Sequence, residues 1–282
     1  MYPSNPSKQT DLSRRIAILT LILLGLQTGR PVWAQDGDNP HSPTATRVTL
    51  TQSAGPAYGV MRDLGVSPRL YQAPGMAIDW SVDIERGIWR YQWKLQLFGG
   101  ALCHQVLPLE SLSINGADVR FALQLGLERQ VLKHECWQVW AGAALEDRIM
   151  LAYNNRYMNA SVGMGNLLAP TIWGTGECHF NRITLWLTVG GSPLGGWYRP
   201  GFAYLDNYSA GDTEVATFGN DYNWQCTFLP HLLGGLGVSW QLPNGNALGV
   251  TYGWHYFTTR KSGYWSYEGA RHALQFVMTF EL

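Results

Sequence analysis

Seven histidines, four cysteines and a sparse set of charges are the residues of this chain from which a reaction or a ligand site would be built. His255 and His272 stand on two neighbouring extended segments, and two imidazoles side by side suit metal ligation or proton exchange. Their neighbours separate them. His255 lies between Trp254 and Tyr256, on what should be an inward face, whereas His272 shares parity with Leu274 and Phe276 and should point outward. The rings then sit on opposite sides of one wall, and His255 alone is left as a candidate rim site. His104, His134, His179 and His231 fall in connections or at segment ends and are expected to be solvated; His41 lies in a polar leader. No metal site and no cofactor follows from these spacings.

The cysteines are Cys103, Cys136, Cys178 and Cys226. None shows zinc-ligand spacing. In an exported chain they are able to form disulfides. The topology developed below permits only Cys136 with Cys178 at one end and Cys103 with Cys226 at the other, with free thiols as the alternative. No G-x-S-x-G, P-loop or dinucleotide fingerprint is present. No complete catalytic constellation can be assembled, so no catalytic residue is named.

The charges are more informative. Asp79 and Asp83, Arg90 and Lys94, and Arg120 with Gln124 all occupy the polar face of alternating segments. A two-residue turn at Arg86-Gly87 would set Asp83 opposite Arg90, Ser81 opposite Gln92 and Asp79 opposite Lys94. Opposite charges then coincide on one face, as cross-strand pairing demands. This interior set reads either as an ion or substrate path, or as a salt-bridged plug. A narrow barrel interior can be filled by side chains, and a lone buried charge is costly, so the plug is the favoured reading.

Period two positions these residues. Met76, Ile78, Trp80, Val82 and Ile84 alternate with Ala77, Asp79, Ser81, Asp83 and Glu85; Trp89 to Leu97 and Val119 to Leu127 do the same. A strand with one apolar and one charged face needs two solvents. A secreted soluble β-protein would also alternate. The richness of the apolar faces in Trp and Tyr favours lipid, as in the girdles of outer-membrane barrels. The expected strands are 46–52, 76–85, 88–98, 119–128, 137–146, 160–178, 183–190, 230–242, 247–257 and 271–282. This predicts an all-β fold, an antiparallel up-and-down transmembrane barrel of ten strands, or twelve if residues 191–229 add a hairpin. With the first strand running outward, the short connections 86–87, 129–136, 179–182 and 243–246 are periplasmic. The long ones, 53–75, 99–118, 147–159, 191–229 and 258–270, are extracellular, the arrangement such barrels require. At Pro243-Asn-Gly-Asn246 the facing pattern demands an odd loop, expected at Asn244–Asn246 with Leu242 opposite Leu248. The aromatic stretch from Arg199 to Tyr208 falls in the longest outer connection, as a rim-packing loop or a binding surface.

Composition agrees. Charged residues are 14% of the 282, aromatics 13%, and there are 32 glycines. Arg14 and Arg15 precede an eleven-residue run, Ile16 to Leu26, that is apolar but for Thr20. Val32 and Ala34 fit a small-residue cleavage rule, so residues 1–34 read as a signal peptide cut after Ala34. The run is too short for a membrane helix of about 20 residues. Residues 35–45 read as a disordered leader and 46–282 as the barrel domain. Beyond residue 34 stand 16 basic and 19 acidic residues, with no basic stripe, so nucleic acid is not expected as a partner.

The layout resembles uncharacterised outer-membrane barrel proteins of Gram-negative bacteria. The resemblance rests on the alternating strands from Met76 onward, the aromatic segment Pro193 to Phe202 and the terminal strand to Leu282. It covers roughly 76–282 and is one of layout. It implies the cell outer membrane and a barrel, and it carries no activity. The last strand, with Leu274, Phe276, Met278, Phe280 and Leu282 on one face, looks like the signal read by the barrel assembly machinery, although it ends on Leu282 and not on an aromatic. The implied partners are that machinery and outer-membrane lipid; any extracellular ligand is unknown. Three functions compete: a closed structural or surface-binding barrel, a narrow pore for ions or small solutes, and an outer-membrane enzyme acting on lipid or peptide.

Overall fold

The computed structural model describes residues 46–63, 67–103, 114–154, 162–192, 194–198, 223–225, 231–259 and 267–282. The expected signal peptide and leader, Cys226, His104 and the Arg199–Tyr208 stretch lie outside them.

The strands are β1 (Thr46–Asp63), β2 (Ser67–Arg86), β3 (Trp89–Cys103), β4 (Ile114–Lys133), β5 (Trp137–Asn154), β6 (Val162–Phe180), β7 (Ile183–Ser192), β8 (Gly195–Tyr198), β9 (Asn223–Gln225), β10 (His231–Gln241), β11 (Ala247–Thr258) and β12 (Tyr267–Glu281). Ten of them close one antiparallel wall, in the order β1 to β7, then β10, β11, β12 and back to β1. The expected ten-stranded barrel is therefore the fold. β8 and β9 do not widen it. β8 pairs with β6 at Asn166–Leu168, beyond the stretch that β7 covers, and β9 pairs with β8. They extend the wall upward at its outer end.

The short connections sit at one end, and two of them place a glycine where the backbone is left-handed. Arg86 pairs with Trp89, so the β2–β3 turn is Gly87-Ile88, one residue later than expected. Gly87 takes φ +61° at the first central position, a left-handed conformation that would strain Arg86. The β10–β11 loop is odd, as the facing pattern requires, but it is Pro243-Asn244-Gly245. Trp240 pairs with Leu248, the Leu242 N–H donates to the Asn246 carbonyl, and Gly245 has φ +87°.

The outer ends correct the strand lengths. β1 runs to Asp63 and β2 begins at Ser67, so the expected connection 53–75 is almost entirely strand. β3, β4 and β5 likewise run past their expected limits. About 9–11 residues suffice for a tilted strand to cross a membrane; strands of 15 to 20 residues carry the barrel well beyond it. There the two faces exchange character. Inside stand Met61, Tyr71, Leu102, Leu167, Trp197, Phe257 and Tyr267, all buried in one apolar cluster. Outside stand Arg62 with Glu268 at 2.7 Å, Tyr58 donating to Gln72, and Asp147 accepting from Asn166. The lower wall is inverted: Tyr91, Trp93, Leu123, Leu125, Leu187, Leu236, Val250 and Phe276 are exposed outward. Trp89, Trp137, Phe180 and Trp240 ring its inner end, the position of an interfacial aromatic girdle.

Candidate functional site

The interior is built of side chains at alternate positions on every strand, and three layers follow from the inner end outward. In the first, Arg90 meets three carboxylates from three strands: Glu85 at 2.6 Å, Glu128 at 3.0 Å and Glu177 at 2.8 Å. Its guanidinium also lies 4.1 Å from the Trp140 ring centroid. The Trp173 indole N–H donates to Glu128. Trp173 lies across two inward glycines of neighbouring strands. A Cβ on Gly142 would come within 2.7 Å of the indole, and one on Gly126 within 2.8 Å. These glycines are seats for the ring.

The expected pairing of Asp83 with Arg90 does not occur. The turn displacement moves the register by two, so Glu85 faces Arg90, Asp83 faces Gln92 and Ser81 faces Lys94. Asp83 accepts from Gln92 at 3.0 Å, and Asp79 from Gln96 at 3.1 Å with Arg271 at 4.0 Å. Lys94 points inward into a middle layer. Gln92, Gln124, Thr188 and Ser239 there keep partial exposure, so this is the more open part of the lumen.

Above it the lumen is filled. Arg148 pairs with Glu146 at 2.8 Å and reaches Gln96. Arg120 pairs with Asp118 at 2.6 Å, donates to the carbonyls of Ala270 and Val60, and lies 5.3 Å from the Phe98 centroid. Both arginines and both acids are about 2% exposed or less. Such ions are tolerable in a dry interior only because each is paired and hydrogen-bonded. Over them the apolar cluster closes the outer end, with Trp197 5.2 Å from Tyr267, and Phe257 stacked on Tyr267 at 5.2 Å.

His255 points inward but is buried below that cluster, so it is not a rim residue. His231, expected in solvent, is buried beside it. The two Nε2 atoms are 2.5 Å apart, and Glu146 Oε1 lies 3.8 Å from His231 Nε2 and 3.9 Å from His255 Nε2. The difference from the expected solvent position has a local cause. His231 is the first residue of β10, and a strand's first residue carries no alternation of its own from which to read its face. His272 points outward, with the Tyr252 hydroxyl 2.6 Å from its Nδ1. His134 and His179 stand exposed at the inner end. Cys136 and Cys178 are free thiols, as is buried Cys103. Trp137 pairs with Cys178, and the His179 N–H donates to the Cys136 carbonyl. The two thiols therefore belong to opposite faces of the wall, and of the two states the spacing left open the structure has the free thiols.

No family model matches the sequence, and no curated protein matches it either. Solved structures do. The outer membrane protease OmpT from Escherichia coli superposes with a TM-score of 0.52 at 7% identity, over 84% of this chain and 97% of that one. Neisserial surface protein A gives 0.40 at 8% identity, over 84% and 99%. The translocator domain of the autotransporter NalP from Neisseria meningitidis gives 0.34 at 10%, over 96% of each. At these identities the likeness is one of fold, and the fold is the closed antiparallel barrel of Gram-negative outer-membrane proteins.

Proposed function

We propose that this chain is exported with a signal peptide cut after Ala34, inserted by the barrel assembly machinery, and resident in the outer membrane as a closed barrel with a structural or surface-binding role. The observation that carries this reading is the filled outer half of the lumen. Phe98, Leu102, Leu167, Trp197 and Phe257 are each about 1% exposed, and the buried pairs Arg120–Asp118 and Arg148–Glu146 stand beneath them. A conduit needs a continuous open path, and the partial exposure around Lys94 gives way to fully buried side chains at this layer. The role then falls to the outward-facing polar belt and the outer connections, since binding residues concentrate on loops held by a rigid scaffold. The pore reading draws its support only from Lys94 and its partly exposed neighbours. The enzyme reading draws on the likeness to OmpT, itself named a protease, and a peptide-cleavage assay tests it directly.

The deciding measurement is conductance of the refolded, purified protein in a planar bilayer. The expected result is no single-channel steps from the wild type. Leu102→Gly with Trp197→Gly, which thins the cap, is expected to introduce them. Steady wild-type steps whose ion preference changes with Lys94→Glu would overturn the closed-barrel reading in favour of a pore.

A further inference from the structure

We propose that Glu146, His231 and His255 form a binding site for one divalent transition-metal ion of the zinc or cobalt type. Such an ion ties β5 across the lumen to β10 and β11. β10 and β11 are neighbours, but β5 is separated from β10 by β6 and β7. Its carboxylate therefore reaches the two imidazoles through the barrel interior. All three side chains are buried, and their ligand atoms lie within 4.8 Å of one another.

The geometry is that of a slightly distorted ligand triangle. A tetrahedral ion with bonds of about 2.0–2.2 Å sets its ligands about 3.3 Å apart. Here the edges are 2.5, 3.8 and 3.9 Å, so the imidazoles must part and the carboxylate approach by less than about 1 Å each. The two Nε2 atoms face each other at hydrogen-bond distance, so in the metal-free site one imidazole N–H donates to the other ring, and an ion would displace that proton. Neither Nδ1 atom has a partner among the described residues. Two imidazoles and one carboxylate suit zinc, cobalt, nickel or copper, while calcium and magnesium require oxygen ligands. Three protein ligands leave a fourth position for water.

The charges facing the site are Arg148, Arg271 and Arg120. Arg148 is paired with Glu146, Arg271 lies 4.0 Å from Asp79, and Arg120 is paired with Asp118. Arg271 and Arg120 are therefore offset by acids outside the site, whereas Arg148 shares Glu146 Oε1 with the proposed ion. Arg148 also orients the Glu146 carboxylate, as outer-shell partners do. The apolar cluster above closes the outer route, so the ion enters while the barrel closes, or through the more open middle lumen.

The test uses untagged full-length mature protein, refolded into detergent after chelator treatment, with and without cobalt(II). Bound metal is counted after gel filtration and its visible absorption recorded. The expected result is one cobalt per barrel, a tetrahedral spectrum, and a melting temperature above that of chelator-refolded protein. His231→Ala and His255→Ala should each weaken binding by more than the roughly 100-fold that loss of an outer-shell partner costs, with the folded band on an unheated gel retained. His231→Asn and His255→Gln serve if the alanine variants do not fold. His179→Ala, at the inner end, should bind as the wild type does. No metal after refolding, retention by both interior variants, or loss in His179→Ala would overturn the site.

Discussion

Replacing Arg90 by Gln tests the interior layer nearest the short connections. In the wild type one guanidinium holds Glu85, Glu128 and Glu177 at 2.6, 3.0 and 2.8 Å, and Glu128 is only 3% exposed. Removing the cation leaves three carboxylates converging on one another in a half-dry lumen. Breaking a buried pair by removing one partner costs about 3–5 kcal/mol, because the remaining charge is uncompensated. Glu85 and Glu177 keep some water, which places the expectation at the lower end, about 3 kcal/mol, or roughly 150-fold in the folding equilibrium. The assay is urea unfolding of the refolded barrel in lipid vesicles, followed by Trp fluorescence, with Arg90→Gln, Glu128→Gln and the double variant. The double should recover part of the loss, with a coupling of about 1–3 kcal/mol. The parallel cycle with Asp83→Asn should give a smaller coupling, since Asp83 is held by Gln92 and not by Arg90. A loss below about 1 kcal/mol for Arg90→Gln, or a larger coupling to Asp83 than to Glu128, would refute both the network and the register that creates it.

Two further outcomes follow from the same packing. Gly142→Ala puts a methyl 2.7 Å from the Trp173 indole and 2.8 Å from Glu128 Cγ. It should destabilise the barrel by about 1–3 kcal/mol as an overpacked site, read as a lower urea midpoint; an unchanged midpoint would mean that the ring does not lie on that seat. Cys136 should be alkylated by a maleimide in the folded, detergent-solubilised protein, while buried Cys103 reacts only after unfolding. Peptide mapping that finds Cys136 joined to Cys178 would contradict the opposed faces.

Much of this molecule was legible in the chain because lipid imposes a strict rule. Wherever a strand crosses the membrane its outward residues must be apolar, so period two discloses the facing of Asp79, Asp83, Arg90, Lys94 and Arg120, all inward. The short connections then disclose the direction of each strand. Above the membrane that rule lapses. At Tyr58, Arg62, Gln72 and Glu268 the outer face turns polar while Met61, Tyr71 and Tyr267 fill the inside, and the contrast that marks a strand fades or changes sign. The expected limits of β1, β2 and β5 stop short of their outer parts for this reason. A single residue also decided the meeting of charges near the turn: the positive φ that Gly87 accepts moves the register and gives Arg90 to Glu85. The rest depended on closure. Alternation tells which face a side chain occupies but not which distant strand stands across the lumen at the same height. The meetings of Arg90 with Glu177, and of Glu146 with His231 and His255, exist only because ten tilted strands close with one particular stagger.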